Sequence, residues 1–363
     1  MYGRALKIPD RRPEPGADVG GACGGRCPRS SRAIWRHPDL PLPGRAGARC
    51  VTGLLTNLDV IFAGQKVGIL ADEPGLADWL TAHGVPASTF EGVLDGREPA
   101  PSRAVAVPVD YGRLPSRRAL RDIFSRSSVL WIPPASFAAD PWVAGYGLER
   151  FAEIDIPSCI AANRRIISQL LLACEEVRMT GPGTDLAIRL PEQLQLSCRT
   201  RPELLPEEHS TVGNYFEVAM SPTDLAGRVD TDLTASRTLR TDSVLVAKHR
   251  ELTGARAGRF GAAAETAEMM RTSCRLSVEI RDKRFVDGFG PFADGIHATS
   301  GPEYRGAVTE VATGTGVLSA DRVDGGLNCL LNEGAAGVHP GVGNGLTGMH
   351  FDFISREARP DTL

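Results

Sequence analysis

The sequence predicts an α/β N-terminal domain with a parallel sheet, followed by a strand-rich α+β C-terminal domain. The length of 363 residues favours two domains. Between residues 66 and 133, short apolar stretches alternate with helical patterns, which is typical of a parallel sheet. Beyond about residue 175, strand-like stretches separated by turns replace the helical patterns. We therefore divide the chain into residues 1–50, 51–175 and 176–363.

The first fifty residues differ in composition from the rest of the chain. They contain ten Lys or Arg and four Asp or Glu, together with seven Pro and eight Gly. The remaining residues contain 31 basic and 40 acidic side chains. A basic stretch rich in Pro and Gly is typical of a flexible, disordered arm, and this one lacks the apolar core of a secretory signal.

The segment 51–175 predicts a small α/β unit. Its predicted strands are residues 66–72, 85–90, 104–109 and 128–133, and its predicted helices are 74–83, 117–126 and 163–176. Because no G-x-G-x-x-G follows the first strand, a dinucleotide site is not predicted. In the C-terminal part, strands are predicted at 185–190, 229–232, 242–247 and 276–280, with turns at 181–184, 282–283 and 287–288.

Composition limits the classes of partner. Hydrophobic residues make up 42% of the chain and charged residues 23%, as in an ordinary globular protein. The net charge of −3 gives no general attraction to nucleic acid, and no apolar run of about eighteen residues predicts a membrane span. The eight cysteines are scattered, so we expect mostly free thiols and a cytoplasmic location.

The stretch 348–354 (GMHFDFI) contains the most informative pair of side chains. In a strand, residues i and i+2 share one face, so His350 and Asp352 would project together, away from the apolar residues beside them. His339 lies eleven residues before His350, in a glycine-rich run. Two imidazoles and a carboxylate are typical ligands of a divalent metal, although an isolated H-x-D pattern also occurs in structural roles.

Four segments in one order resemble the thermophilic-type metallo-aminopeptidases, the aminopeptidase T and aminopeptidase S group, and their relatives the 2,5-dihydroxypyridine dioxygenases. The segments are 181–186 (GPGTDL), 213–222 (GNYFEVAMSP), 308–316 (VTEVATGTG) and 331–339 (LNEGAAGVH), and the H-x-D strand follows them. The resemblance covers residues 160–354, or roughly half of the chain.

This resemblance implies a pair of divalent metal ions, zinc, cobalt or manganese, in the C-terminal domain. The implied ligands are Glu217, Glu310, His339, His350 and Asp352. The implied activity is hydrolysis of a peptide or small amide by a metal-activated water, with Glu217 or Glu310 as general base. It also implies a homodimer. The substrate could be that of a specialised biosynthetic pathway.

The sequence leaves two alternatives open. His339, His350 and Asp352 could form a triad that holds one iron(II), as in a mononuclear non-haem ring-cleaving dioxygenase. The dioxygenases, however, have His in place of Glu310 and lack the His matching His339, which favours the hydrolase.

The second alternative is a catalytically inactive binding or scaffold protein. Three differences from the family favour it: Phe216 replaces a Gly, Leu346 replaces a Tyr, and only ten residues separate the two histidines. Glu333 has two interpretations, as a partner that orients a ligand His or as a surface or helix-capping residue.

Overall fold

The computed structural model describes residues 46–361, apart from gaps at 174, 191–193, 223–232, 249–251, 273–275, 300–305, 319–321, 336 and 345–348. These residues all belong to one compact unit, Pro41–Leu363. The first helix begins at Ala46, within the predicted arm, and residues 1–45 of that arm lie outside the described residues. In the described part of the chain, no helix is both long and apolar enough to cross a bilayer.

The described residues form ten α-helices, two short 3-10 helices (Pro134–Ser136 and Gly290–Phe292) and seventeen strands. The helices are α1 (Ala46–Ile61), α2 (Pro74–Ala82), α3 (Phe90–Leu94), α4 (Arg117–Ile123), α5 (Pro141–Glu153), α6 (Ile156–Leu172), α7 (Gly213–Phe216), α8 (Ala255–Thr272), α9 (Ala293–Thr299) and α10 (Leu330–Glu333). The strands are β1 (Gly68–Ala71), β2 (Ala87–Thr89), β3 (Arg103–Val107), β4 (Ser128–Trp131), β5 (Glu176–Gly181), β6 (Thr184–Arg189), β7 (Leu194–Ser197), β8 (His209–Thr211), β9 (Glu217–Pro222), β10 (Thr234–Thr241), β11 (Ser243–Lys248), β12 (Leu276–Arg281), β13 (Arg284–Asp287), β14 (Val308–Gly314), β15 (Gly337–Asn344), β16 (Met349–Ile354) and β17 (Arg359–Pro360).

The first sheet has five parallel strands in the order β2-β1-β3-β4-β8, which confirms the predicted parallel sheet. The β3 strand is buried along nearly its whole length, as expected for a parallel strand covered on both faces. The predicted strand 85–90 ends at Thr89, because the Thr89 side chain accepts a hydrogen bond from Gly92 N and starts α3. No strand was predicted at the position of β8.

The helix predicted at 163–176 begins earlier and ends earlier, as α6. Pro157 lies in its first turn, where proline is tolerated, and Cys159 and Ile160 extend its buried face. The chain becomes extended at Ala173 and enters β5 at Glu176. The domain change predicted near residue 175 falls at this junction and stays a prediction.

The other two sheets are antiparallel and confirm the strand-rich character of the C-terminal half. The second sheet has the order β13-β12-β10-β6-β5-β17 and the third has β11-β16-β15-β14-β9-β7. The predicted turn at 282–283 is a two-residue hairpin loop in which Asp282 and Lys283 have φ of 47° and 61°, the left-handed region that such loops require. The predicted strand 229–232 lies outside the described residues.

The third sheet separates two hydrophobic clusters. One face contributes Val246, Phe351 and Phe353 to a cluster shared with the second sheet. The opposite face contributes Leu245 and Ile354 to a cluster shared with α1 and α5. Because side chains alternate along β16, residues 350 and 352 project from this opposite face, towards the helices.

Candidate metal centre

Six ionisable side chains converge on the helix-facing side of the third sheet. They form two groups of three, and within each group one ligand atom per residue lies within 4.8 Å of the others. The first group is Glu310, His350 and Asp352, and the second is Glu217, Glu333 and His339. Five of these are the residues singled out in the sequence, and the structure brings all five together with Glu333.

The register of the third sheet explains this convergence. On β16, Asp352 lies opposite Gly341 of β15, which lies opposite Glu310 of β14. In a neighbouring row, His339 lies opposite Ala312 of β14. Side chains that lie opposite each other project from the same face. The residues next to them in these rows, Gly341 and Ala312, are small, which leaves space above the sheet for the longer side chains.

His350 is held on two sides in the first group. Its Nδ1 donates to the Gly343 carbonyl at 3.1 Å, and its Nε2 lies 2.6 Å from Oδ1 of Asp352 and 3.9 Å from Oε1 of Glu310. A histidine whose Nδ1–H is bound to a carbonyl presents Nε2 to a metal. The ring lies across Gly341, where a Cβ would overlap atoms Cε1 and Nε2 of the ring. Glycine at this position therefore makes room for the imidazole.

His339, in the second group, fits a site built for a cation. Its side chain is 1% exposed, yet neither ring nitrogen has a hydrogen-bond partner among the described residues. Its Nε2 lies 3.9 Å from Oε2 of Glu217, too far for a hydrogen bond. Leaving a buried polar atom unpaired costs about 1–3 kcal/mol. A divalent cation shared between this imidazole and the neighbouring carboxylates would provide a partner for one of the two nitrogens.

The three glutamates hold protons more tightly than usual. Burial, and then the neighbouring carboxylates, raise the pKa of Glu217 and of Glu333 well above the ordinary range. Burial also raises the pKa of Glu310, with a further contribution from Asp352 and a partial offset by His350. Four carboxylates packed into one buried site repel each other when ionised, and bound cations would relieve that repulsion.

The two histidines shift in opposite directions. Burial lowers the pKa of His339 to about 4, so its ring is neutral at pH 7, the form that binds metal. Burial would also lower the pKa of His350, but Asp352 and Glu310 outweigh it and raise that pKa to about 10, so an ion bound at Nε2 would displace a proton. Burial would raise the pKa of Asp352, but His350 lowers it. Asp352 interacts electrostatically with each of the other five site residues, so its charge acts on both groups.

The Phe216 side chain belongs to the hydrophobic core and not to the metal centre. It is fully buried in the cluster shared with α1 and α5. Its ring covers Gly334, where a Cβ would overlap the ring. Phe216, one of the three differences from the aminopeptidases, therefore has a packing role, with Gly334 as its partner. Leu346, the other substituted position, lies outside the described residues.

Glu333 is the site residue that sequence reasoning placed least well. It is the last residue of α10, and the following Gly334 and Ala335 approach the end of β14 closely: Gly316 N donates to the Gly334 carbonyl at 3.0 Å. Its spacing from His339 was the available signal. That spacing does not reveal that a carboxylate oxygen of Glu333 lies within 4.8 Å of ligand atoms of Glu217 and His339.

No curated protein matches this chain. Among solved structures, it is similar to wild-type AmpT from Thermus thermophilus, with a TM-score of 0.44 and 15% sequence identity, over 86% of this chain and 97% of that chain. Likeness at this level says nothing about activity. The family model described as crocagin biosynthetic protein CgnE/B matches residues 64–362. Because that match spans most of the sequence, the chain belongs to the crocagin biosynthetic protein CgnE/B family.

Proposed function

We propose that this chain is a metal-dependent hydrolase that cleaves an amide bond in a peptide or small amide of a biosynthetic pathway. The observation that carries the proposal is the pair of buried groups, each with one imidazole and two carboxylates. His339, which is buried with both ring nitrogens unpaired among the described residues, is the clearest single indication. The biosynthetic description of the family supports the choice of pathway.

The six residues of the centre would hold two divalent ions, one in each group. Nε2 of His350 and the carboxylates of Glu310 and Asp352 would hold one ion, and His339, Glu217 and Glu333 would hold a second. Divalent ions in these places would polarise an amide carbonyl and lower the pKa of a water molecule. Asp352 is fully buried and interacts electrostatically with His339 and Glu333 as well as with His350, so it could help to hold both ions.

Glu310 is better placed than Glu217 or Asp352 to exchange protons with a substrate. Its side chain is 27% exposed, compared with 12% for Glu217 and 0% for Asp352. A general base must reach both the reacting atoms and, after each turnover, the solvent. We assign this role to Glu310, in addition to its part in holding the ion of the first group, whereas Glu217 would help to hold the ion of the second group.

The grouping of the histidines favours this proposal over a mononuclear iron dioxygenase. An iron triad would require His339, His350 and Asp352 around one position. His339 instead groups with Glu217 and Glu333, while His350 groups with Asp352. Oxygen consumption with one iron per chain remains the observation that would support the dioxygenase.

The test is amide cleavage by the metal-loaded chain. Metal-free protein is loaded separately with zinc, cobalt and manganese and incubated with short peptides, each with a free or an acetylated N-terminus, and products are measured by mass spectrometry. We expect cleavage that a chelator abolishes and that Glu310→Gln lowers at least about 100-fold, the usual contribution of a general base. Glu279→Gln, which changes an exposed carboxylate paired with Arg281, is the matched control and should keep full activity. Absence of cleavage with every metal, or equal rates for the two variants, would contradict the proposal.

A further inference from the structure

Asn163 is a buried polar residue of α6 whose side chain makes hydrogen bonds to residues outside the helix. It is fully buried, and its Nδ2 donates to the carbonyls of Arg199 at 2.9 Å and Tyr215 at 3.1 Å. Its Oδ1 accepts a hydrogen bond from Oγ1 of Thr315 at 2.7 Å. The amide thus ties α6 to the segment just before Glu217 and to the end of β14. A buried and fully satisfied polar network of this kind fixes one arrangement of the segments it joins.

The contacts of Asn163 reach the peptide groups that precede Glu217. The Tyr215 carbonyl is bound by Asn163, and the next carbonyl, that of Phe216, accepts from Thr315 N at 2.6 Å and from Gly316 N at 3.2 Å. Glu217 itself lies opposite Gly314 in the sheet. The backbone is therefore fixed at both residues before Glu217, where α7 gives way to β9.

Residues 314–316 also contact the segment that follows Glu333. Gly316 N lies 3.0 Å from the Gly334 carbonyl, and Gly316 pairs with Ala335 in an isolated bridge. A Cβ on Gly314 would overlap the Ala335 carbonyl oxygen, so glycine permits this approach. Residues 314–316 consequently contact the backbone beside both glutamates of the second group.

We propose that Asn163 and Thr315 are positioning residues for the second group, Glu217, Glu333 and His339, and that they act without touching an ion. The inference rests on the proposed function, because it takes that group to bind metal. The ligands of the first group lie on β16 and within β14, at positions that the described contacts of Asn163 do not reach. Loss of the Asn163–Thr315 bond should therefore weaken one of two metal-binding events and spare the other.

The test is calorimetric titration of metal-free chain with zinc, for wild type, Asn163→Leu, Thr315→Val and Thr315→Ser. We expect two binding events in the wild type. Asn163→Leu and Thr315→Val should weaken one event by about 10–100-fold, the usual effect of losing a residue that orients a metal ligand, and leave the other unchanged. Thr315→Ser keeps the hydroxyl and should titrate as wild type.

Asn57 supplies the matched control. It is also a buried asparagine, and its Nδ2 donates to the carbonyls of Phe151 at 2.6 Å and Ile154 at 2.9 Å, joining α1 to the end of α5. Asn57→Leu should lower the unfolding temperature of the metal-free chain but keep both binding events. Unfolding of the metal-free proteins is measured for each variant, so that loss of fold is distinguished from loss of one site. If Asn163→Leu does not fold, the comparison of Thr315→Val with Thr315→Ser decides.

Three results would overturn the inference. Unchanged titration of Asn163→Leu and Thr315→Val, beside a wild type that binds two ions, would remove the positioning role and leave the proposed function intact. Loss of the same event in Asn57→Leu would show that the effect is general to buried asparagines. A wild type that binds no metal would remove both the proposed function and this inference.

Discussion

The Nε2 atom of His350 lies 2.6 Å from Oδ1 of Asp352, two residues further along β16. The same carboxylate interacts electrostatically with His339 and Glu333 of the second group. Asp352 therefore interacts with residues of both groups, whereas His339 is a member of the second group alone. This difference in position predicts a difference in metal binding.

Asp352→Asn should abolish tight binding of both ions, whereas His339→Ala should abolish only one. Asparagine keeps the size of the side chain but removes the charge that both groups share. Competition against a chromophoric chelator measures how many ions each variant retains. An Asp352→Asn chain that holds as many ions as His339→Ala would show that Asp352 does not bridge the groups.

Gly341→Ala should weaken the first group selectively. The added Cβ would overlap the His350 ring, which must then move away from Asp352. We expect a fall in affinity of about 10-fold or more for one ion, on the scale seen when a ligand histidine loses its orientation. Gly258, on α8, has open space around it, so Gly258→Ala should keep both affinities and stabilise the helix by about 0.5–1 kcal/mol. Equal metal binding by the two alanine variants would contradict the role of Gly341.

Phe216 and Gly334 should show strong coupling in a double-mutant cycle. Gly334→Ala places a methyl group where the Phe216 ring lies, so it should destabilise the chain by about 1–3 kcal/mol. Phe216→Ala removes the ring and should cost about 3–5 kcal/mol through the cavity it leaves. In the Phe216→Ala background the added methyl has space, so the two costs should not add. Urea denaturation of all four proteins measures the coupling, and additive free energies would disprove the packing relationship.

Glu208→Gln should destabilise the chain in a pH-dependent way. Glu208 accepts from Arg199 at 3.0 Å and from Leu205 N at 2.8 Å. Burial would raise the pKa of Glu208, but these hydrogen bonds and Arg201 lower it below its ordinary 4.5. A carboxyl whose pKa is lowered on folding stabilises the fold above its unfolded pKa, and that contribution is lost as the pH falls through the folded value.

The difference in unfolding free energy between wild type and Glu208→Gln should therefore be about 1–3 kcal/mol at pH 7. It should stay constant down to about pH 5 and shrink below pH 4.5. Chemical denaturation at several pH values measures it. A difference that grows as the pH falls would have the wrong sign for this ion pair.

The alternation of side chains in strands made part of the centre predictable. His350 and Asp352 share a face because they are two residues apart, and the apolar residues between and beside them indicate a buried strand. The parallel sheet was equally predictable, since apolar strands alternate with helices along the chain. These features depend on local pattern, which a sequence displays directly.

The features that were missed depend on contacts between distant segments. The β8 strand has only three residues and becomes a strand by pairing with β4. The placement of Glu333 depends on Gly314 and Gly316, which let the chain after α10 approach β14. In the sequence, Asn163 is an ordinary helix residue, and only the structure shows its hydrogen bonds to Arg199, Tyr215 and Thr315. Such pairings are set by the tertiary fold, and local spacing does not encode them.

Metal content per chain tests the central claim most directly. The wild-type protein, prepared without chelator and saturated with zinc, cobalt or manganese, is dialysed and measured by elemental analysis beside His339→Ala. We expect about two divalent ions per wild-type chain and about one in the variant, as the two three-residue groups require. A wild-type chain that retains no ion with any of these metals, or that retains the same number as His339→Ala, would contradict a two-metal centre.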